Sequence, residues 1–197
     1  MEIKKKPMGV YQTNCYIVTI DGKDLIIDPG VDAISWVLKN VTNPLAILNT
    51  HGHFDHVWSN QEVKDELKIP IYCPEGDCFM LENDPIGRGT PSSKADYRVK
   101  PNEKIKFDNI EVTFHHFAGH TPGCSALEIK DTLFSGDFIF ENSIGRVDFP
   151  YSKPADMKKS IQKVLAWEKN FTIYPGHGNY TTLNKERDSL REWYKYI

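Results

Sequence analysis

Residues 49 to 60, NTHGHFDHVWSN, place three of the chain's seven histidines and an aspartate within six consecutive positions. In an extended segment alternate side chains share a face, so His51, His53 and Asp55 are predicted to converge while His56 points elsewhere. On a helix, residues two apart do not face each other. Imidazole and carboxylate are donors that zinc, iron and manganese accept. The pattern predicts a metal site, and the alternative is a polar loop with surface histidines.

Three further ligand-type residues stand at separate points along the chain. His120 lies in AGHTPG, Asp137 in LFSGD and His177 in YPGHG. Each follows an apolar run that reads as a strand, and each lies close to glycine. Open α/β sheets bind ligands at the carboxyl ends of their strands. We therefore expect these three side chains to join the first cluster.

Strands are the first elements needed to position this cluster. Apolar runs flank Asp21-Gly22, which is the strongest short-range signal for a β-hairpin. Two more hairpins are predicted around Asp108-Asn109 and Lys130-Asp131. The run PLAILNT, residues 44 to 50, is almost uniformly apolar, as in a strand buried on both faces. IYC (71–73) and FTIYPG (171–176) read as further short strands.

Helices alternate with these strands. Asp32 is placed to cap a helix that ends near residue 40, and Ser59 with Glu62 forms the pattern of a capping box. Residues 153 to 168 show the apolar spacing of an amphipathic helix, and residues 184 to 196 read as a closing helix. Strands and hairpins that alternate with helices predict two sheets with helices packed outside, a four-layer α/β arrangement.

Residues 84 to 102, DPIGRGTPSSKADYRVKPN, form the least structured stretch of the sequence. A loop of this length inside a compact domain is more often functional than accidental, so we predict an active-site flap; the alternative is a disordered surface loop. Tyr97 and Arg98 in this loop, and Tyr180 beyond PGHG, are candidate substrate contacts. Arg146 is a candidate anchor for an anionic group, because guanidinium pairs well with carboxylate. The alternative for Arg146 is an ordinary surface ion pair.

Length and composition exclude several classes of protein. A chain of 197 residues has the size of one domain, so residues 1–197 are predicted to form a single domain. The net charge of −3 and the scattered lysines and arginines argue against nucleic-acid binding. No apolar run approaches the roughly 18 residues that span a bilayer, and no secretory signal is present. The four cysteines form no C-x-x-C pair, which predicts free thiols in a cytoplasmic protein.

The order of the motifs resembles the metallo-β-lactamase superfamily. T-H-x-H-x-D-H is followed by H-T-P-G, G-D and P-G-H-G, and within this set GDFIFENSIGRVDFP is similar to the glyoxalase II branch. The resemblance covers the chain from Asp28 to His177. It implies a four-layer αββα sandwich, with two mixed β-sheets and helices on the outer faces.

The resemblance also implies a binuclear metal centre. Two divalent ions are expected; zinc is the favoured metal, and iron or manganese are the alternatives. The implied ligands are His51, His53 and His120 for the first ion, Asp55, His56 and His177 for the second, and Asp137 as a bridge. Asp28 is expected to orient a ligating histidine from behind the site, and the alternative is a turn aspartate that ends a strand.

The chemistry expected from the resemblance is hydrolysis of a small-molecule thioester such as S-lactoylglutathione. A hydroxide that bridges the two ions would attack the carbonyl, and Asp55 and Asp137 would be catalytic. Typical glyoxalase II enzymes carry a C-terminal helical domain that supplies much of the glutathione contact, whereas 20 residues follow His177 here. Glutathione recognition is therefore not carried over. We expect a monomer or small homo-oligomer.

Other hypotheses compete with thioester hydrolysis. The main alternative is a mononuclear iron persulfide dioxygenase that uses His51, His120 and Asp137, a set of two histidines and one carboxylate suited to iron. A metal-dependent binding module without activity is a third reading. Cys124, four residues after His120, is a rival nucleophile. His115 and His116 sit inside a predicted strand, and we expect them to be structural.

Overall fold

Two six-stranded mixed β-sheets face each other in the computed structural model, which describes all of residues 1–197. The first sheet runs in chain order and consists of β1 (Glu2–Met8), β2 (Thr13–Ile20), β3 (Lys23–Ile27), β4 (Pro44–Leu48), β5 (Ile71–Pro74) and β6 (Tyr97–Val99). The second sheet is formed by β7 (Lys104–Phe107), β8 (Ile110–His116), β9 (Ser125–Ile129), β10 (Thr132–Gly136), β13 (Thr172–Pro175) and β14 (Thr181–Thr182). A small hairpin is formed by β11 (Ile139–Phe140) and β12 (Ser143–Ile144).

Six helices complete the fold. They are α1 (Ile34–Asn40), α2 (Phe54–Val57), α3 (Asn60–Leu67), α4 (Cys78–Asn83), α5 (Pro154–Leu165) and α6 (Leu183–Tyr196), with one 3-10 turn at Glu75–Asp77. None of these helices has both the length and the apolar character that crossing a membrane requires.

Three hydrophobic cores separate four layers. One core joins the first sheet to helices α1 to α4, the second lies between the sheets, and the third joins the second sheet to α5 and α6. Strand β2 shows how one sheet contributes to two cores, because successive side chains of a strand point to opposite faces of the sheet. Cys15 and Ile17 pack towards the helices, and Tyr16 and Val18 pack between the sheets. The predicted αββα sandwich is therefore confirmed.

The strands that lead to the site match the prediction. Strand β4 pairs in parallel with both β3 and β5, so its apolar sequence is explained by burial on two faces. The Asp21-Gly22 turn joins β2 to β3 with φ values of 50° and 75°. The other two predicted hairpins are β7–β8 and β9–β10. Because β4, β8, β10 and β13 end at one edge, the residues that follow them can meet.

Asp32 does not cap α1, whereas Ser59 does occupy the predicted N-cap position of α3 but without a side-chain capping bond. Asp32 has a left-handed φ of 62°, and the N-cap of α1 is Ala33, which makes no side-chain capping bond. Ser59 makes no capping bond to α3 either. Its hydroxyl donates to the carbonyl of Gly30 at 2.7 Å and accepts the N–H of Ala33 at 3.2 Å. The Ser59 hydroxyl is directed at the loop that precedes α1, so a tertiary contact has taken the place of the local capping bond.

The long loop is shorter than predicted. Residues 84 to 96 are irregular, whereas residues 97 to 99 form edge strand β6, which pairs in parallel with β5. Strand β1 and helix α4 were not predicted either. Strand β1 contains KKKP and is largely exposed at the sheet edge, so it lacks the alternation of apolar residues that signals a strand.

Candidate metal centre

The first group of ligand-type atoms comes from three buried histidines. His51 and His53 follow β4, and His120 follows β8. Nε2 of His51 lies 3.2 Å from Nδ1 of His53, which lies 2.8 Å from Nε2 of His120. One nitrogen from each ring lies within 4.8 Å of the others. Three imidazole nitrogens at this spacing can hold one divalent ion.

The second group comes from Asp55, His56 and His177, whose donor atoms also lie within 4.8 Å of one another. Oδ2 of Asp55 is 3.6 Å from Nε2 of His56 and 3.5 Å from Nε2 of His177. The expectation that Asp55 would share a face with His51 and His53 was wrong. After His53 the chain turns into helix α2, and this turn carries Asp55 and His56 together into the second group.

Asp137 lies between the two groups. Its Oδ1 is 3.3 Å from Nε2 of His56, and its Oδ2 is 3.4 Å from Nε2 of His120 and 3.5 Å from Nε2 of His177. One carboxylate therefore faces donors of both groups with its two oxygens. This is the position from which a carboxylate can ligate two ions.

Asp28 supports the site from behind. Its Oδ2 is 2.9 Å from Nδ1 of His56 and accepts the hydroxyl of Thr50 at 2.6 Å. Thr50 Oγ1 in turn lies 3.0 Å from Nδ1 of His51. Because the Thr50 hydroxyl donates to Asp28, its oxygen accepts a hydrogen bond from the Nδ1–H of His51. Both histidines then present Nε2 as the free ligand atom, so the expected orienting contact of Asp28 is present.

Backbone carbonyls orient two further histidines. Nδ1 of His120 lies 2.8 Å from the carbonyl of Arg146, and Nδ1 of His177 lies 3.1 Å from the carbonyl of Tyr11. A carbonyl can only accept, so each Nδ1 carries the proton and each Nε2 is free to bind metal. His53 is the exception, because it faces its neighbours with Nδ1.

Unpartnered atoms show that these residues fit metal ions. Nε2 of His56 and Oδ1 of Asp137 are buried and have no hydrogen-bond partner. They face each other at 3.3 Å without hydrogen-bond geometry. Buried polar atoms are normally satisfied, and an ion is one partner that explains such exceptions. The first atom belongs to the second group, and the other belongs to the carboxylate that lies between the groups.

The charge state of the first group also fits a cation. Burial and the neighbouring histidines lower the pKa of His53 to about 3, and burial lowers the pKa of His51 and of His120. The three imidazoles are therefore neutral at neutral pH. The neutral form is the one that binds metal, so protonation does not compete.

Gly176 allows the chain to pass close behind the site. A Cβ atom at this position would overlap Oδ1 of Asp137 and lie 2.7 Å from Cε1 of His56. Only glycine lets the backbone after β13 approach these two side chains so closely. The glycine that precedes His177 in YPGHG is thus explained by packing.

Thr13 is a site residue that the sequence analysis missed. Its hydroxyl donates to Oδ2 of Asp55 at 2.6 Å, and both residues are buried. We expect Thr13→Val to weaken metal binding at the second group by about 10- to 100-fold, because Asp55 loses the bond that orients it. Metal titration with a competing chelator measures the two affinities.

Thr19→Val is the matched control for this prediction. Thr19 lies at the other end of β2 and donates to Oδ1 of Asp24, also at 2.6 Å. Equal second-site affinities in the two variants would contradict the role of Thr13.

Asp77 was also missed, although it connects the two loops that carry the first group. Its Oδ2 accepts the N–H of Gly52 at 3.0 Å and the hydroxyl of Thr121 at 2.5 Å, and its Oδ1 accepts the N–H of Gly123 at 2.6 Å. Gly52 lies between His51 and His53, and Thr121 follows His120. One buried carboxylate therefore holds both loops in register. No local sequence signal identifies it.

One cavity of about 480 Å³ opens onto the candidate ligands. Five candidate ligands line it, namely His53, Asp55, His120, Asp137 and His177. The lining also contains two arginines, Arg88 and Arg146, and apolar side chains that include Phe54, Ile86, Phe140 and Phe149. Ile86 and Arg88 come from the loop that was predicted to be a flap. Part of that loop therefore borders the site.

The other proposed substrate contacts lie elsewhere. Tyr180 is 65% exposed and stacks on Tyr174, outside the cavity lining. Tyr97 donates to Glu103, and Arg98 lies 4.0 Å from Glu82. Both belong to edge strand β6 and do not line the cavity. Their position follows from the parallel pairing with β5, which sequence alone did not predict.

Cys124, His115 and His116 are not placed for catalysis. Burial raises the pKa of the Cys124 thiol well above its ordinary value, so it is a poor nucleophile. His115 pairs with Glu128 at 2.7 Å, and Nε2 of His116 lies 2.8 Å from the carbonyl of Pro122. The four cysteines are free and buried.

Comparisons with known proteins agree with this geometry. The model of the metallo-beta-lactamase superfamily matches residues 8–177. Hydroxyacylglutathione hydrolase GloC of Haemophilus influenzae is 33% identical over 204 residues, which cover 96% of each chain. The crystal structure of the BLEG-1 B3 metallo-beta-lactamase superposes with a TM-score of 0.87 and 32% identity, over 95% of this chain and 97% of that chain.

A third similar protein carries metal. The crystal structure of TTHA1623 in a di-iron-bound form superposes with a TM-score of 0.80 and 30% identity, over 94% of this chain and 98% of that chain. The sandwich fold, the two groups of donor atoms and the match over residues 8–177 lead to one conclusion. The chain belongs to the metallo-β-lactamase superfamily.

Proposed function

We propose that this protein is a binuclear metal-dependent hydrolase of thioesters such as S-lactoylglutathione. The observation that carries the proposal is that both groups of donor atoms share Asp137 beside one open cavity. The similarity to GloC, which is named a hydroxyacylglutathione hydrolase, supports a thioester as the substrate. The second group of donors favours two ions over the single iron of a persulfide dioxygenase.

The ions would be held by the seven residues grouped above. Their ligands would be His51, His53 and His120 on one side, Asp55, His56 and His177 on the other, and Asp137 between them. Zinc is the proposed metal, and iron or manganese would suit the same donors. When bound, two such ions supply Lewis acidity towards the carbonyl oxygen and a lowered pKa for the attacking water.

The protein's own residues would orient the reaction. Asp55, which accepts the hydroxyl of Thr13, would accept the proton of the attacking water. Asp28 and Thr50 keep His56 and His51 in the tautomers that leave Nε2 free. The apolar rings that line the cavity would limit access of bulk water to the reacting carbonyl.

Metal removal tests the proposal. Dialysis against a chelator is expected to abolish hydrolysis of S-lactoylglutathione, and stoichiometric zinc, iron or manganese is expected to restore it. The same preparations are assayed for persulfide-dependent oxygen uptake and for β-lactam hydrolysis, since BLEG-1 is named a B3 metallo-beta-lactamase. Metal content is measured in parallel. One iron per chain with oxygen uptake and no hydrolysis would overturn the proposal, as would turnover of β-lactams alone.

A further inference from the structure

Two arginines line the cavity and differ in what they already bind. Outside the candidate ligands, Arg88 and Arg146 are the charged side chains of the lining. Arg146 donates from Nε and from a terminal nitrogen to the two oxygens of Asp148, at 2.9 and 2.7 Å. It also lies over the ring of Phe149 at 4.2 Å. Its planar donor edge is therefore occupied, as in an ordinary surface ion pair.

Arg88 has no such partner. Its guanidinium lies over the ring of Phe54, 5.6 Å from the centroid, and forms no salt bridge within 4.0 Å. Its donor edge is free to bind an anion in two-point fashion. Asp55 and Asp137, the carboxylates of the same cavity, are directed at the candidate ligand groups. Arg88 is thus the cation of this cavity that is available to a substrate.

The loop around Arg88 is held in place by Asp84. The carboxylate of Asp84 accepts the N–H groups of Arg88, Gly89 and Thr90 at 3.2, 2.7 and 3.3 Å, and the hydroxyl of Thr90 at 3.0 Å. The carbonyl of Asp84 accepts the N–H of Gly87 at 2.9 Å. Five hydrogen bonds to one residue fix the backbone on both sides of Arg88. The backbone that carries Arg88 beside the cavity is therefore already ordered, and substrate binding has to order the side chain alone.

Phe54 links this loop to the reaction centre. Its ring packs edge-on against Tyr11 at 5.1 Å and faces Arg88 on the cavity side. In the chain it stands between His53 and Asp55, which belong to the two donor groups. A substrate whose carbonyl lies at the donor atoms would extend past this ring towards Arg88.

We propose that Arg88 binds an anionic group of the substrate, a carboxylate or a phosphate of its thiol portion. The site then selects anionic thioesters over neutral ones. This inference rests on the proposed thioester hydrolase function. It replaces the expectation that Arg146 is the anion anchor, because Arg146 is already paired.

The selection for anionic substrates is tested with three thioesters that share the same acyl group and differ in their thiol. The thiols are glutathione, which carries carboxylates, coenzyme A, which carries phosphates, and N-acetylcysteamine, which is neutral. In Arg88→Gln, we expect kcat/KM for one of the anionic thioesters to fall about 10- to 100-fold, mainly through KM. The value for the neutral thioester is expected to stay within about twofold, because no charged contact is lost. The thioester that responds identifies the source of the anion.

A conservative variant of Arg88 and variants of two other arginines complete the kinetic test. Arg88→Lys should recover part of the loss, since it keeps the charge but not the two-point geometry. Arg98→Gln is the matched control, because Arg98 follows the same loop but does not line the cavity. A loss of selection in Arg146→Gln but not in Arg88→Gln would overturn the proposal. An equal loss for neutral and anionic thioesters in Arg88→Gln would do the same.

Binding of thioether analogues separates this inference from the hydrolase function. Calorimetry with S-methylglutathione and S-methyl-coenzyme A measures binding to the metal-loaded protein without any turnover. Arg88→Gln is expected to weaken one of these two complexes about tenfold or more. Unchanged dissociation constants for both analogues would overturn the role of Arg88 even if the protein hydrolyses thioesters. Weakened binding without hydrolysis would support Arg88 and contradict the proposed reaction instead.

Discussion

Replacing Asp137 with alanine is expected to lower kcat/KM for thioester hydrolysis by about 1,000-fold or more, since Lewis-acid stabilisation is worth several kcal/mol. The reason is the position of its carboxylate. One oxygen lies 3.3 Å from Nε2 of His56, and the other lies 3.4 Å from Nε2 of His120. Asp137 is the carboxylate that lies within 4.0 Å of Nε2 atoms from both groups, whereas Asp28 contacts His56 through Nδ1. We expect the variant to bind no more than a single ion tightly, as measured by elemental analysis after desalting.

Asp131→Ala is the control for this variant. Asp131 precedes the same strand β10 at its opposite end and is exposed in the turn, so its side chain has no part in the site. It should retain both ions and full activity. If Asp137→Ala kept two tightly bound ions and at least a tenth of the activity, the shared position of Asp137 would not be what makes the centre binuclear.

Replacing Asp77 with alanine is expected to destabilise the protein by about 4 kcal/mol and to weaken metal binding by the first group. Three donors, the N–H groups of Gly52 and Gly123 and the hydroxyl of Thr121, would lose their buried acceptor. Each unsatisfied buried group costs about 1 to 3 kcal/mol, and relaxation or water recovers part of this. Urea unfolding of the metal-free protein measures the first effect, and metal titration measures the second.

Asp77→Asn serves as the milder variant and gives a pH-dependent readout. Burial raises the pKa of Asp77 from 3.8 to about 6, although its hydrogen bonds act in the opposite direction. Between these two values the folded protein holds the proton that the unfolded chain releases. The wild type should therefore lose up to about 3 kcal/mol of stability relative to Asp77→Asn as pH rises from about 4 to above 6. A stability difference that does not change with pH would contradict this account.

Much of the architecture could be predicted because it depends on local signals. The uniform apolar run of β4 indicated burial on two faces, and the turn at Asp21-Gly22 fixed the hairpin between β2 and β3. Predictions failed where a long-range contact outcompeted a local one. The hydroxyl of Ser59 bonds to Gly30 and Ala33 rather than to an N–H of α3, and residues 97 to 99 pair with β5 instead of remaining in a loop.

The sequence by itself determined the donor types and their order along the chain, because imidazole and carboxylate are donors that zinc, iron and manganese accept. The order of the motifs already implied how the donors divide between two ions, and the structure brings each group together. Only the tertiary structure decided which nitrogen each ring presents. The acceptors that set those tautomers come from distant parts of the chain, as Tyr11 does for His177. Tertiary structure also decided that Arg146 is paired and Arg88 is free, since salt bridges depend on side-chain distances that sequence spacing does not specify.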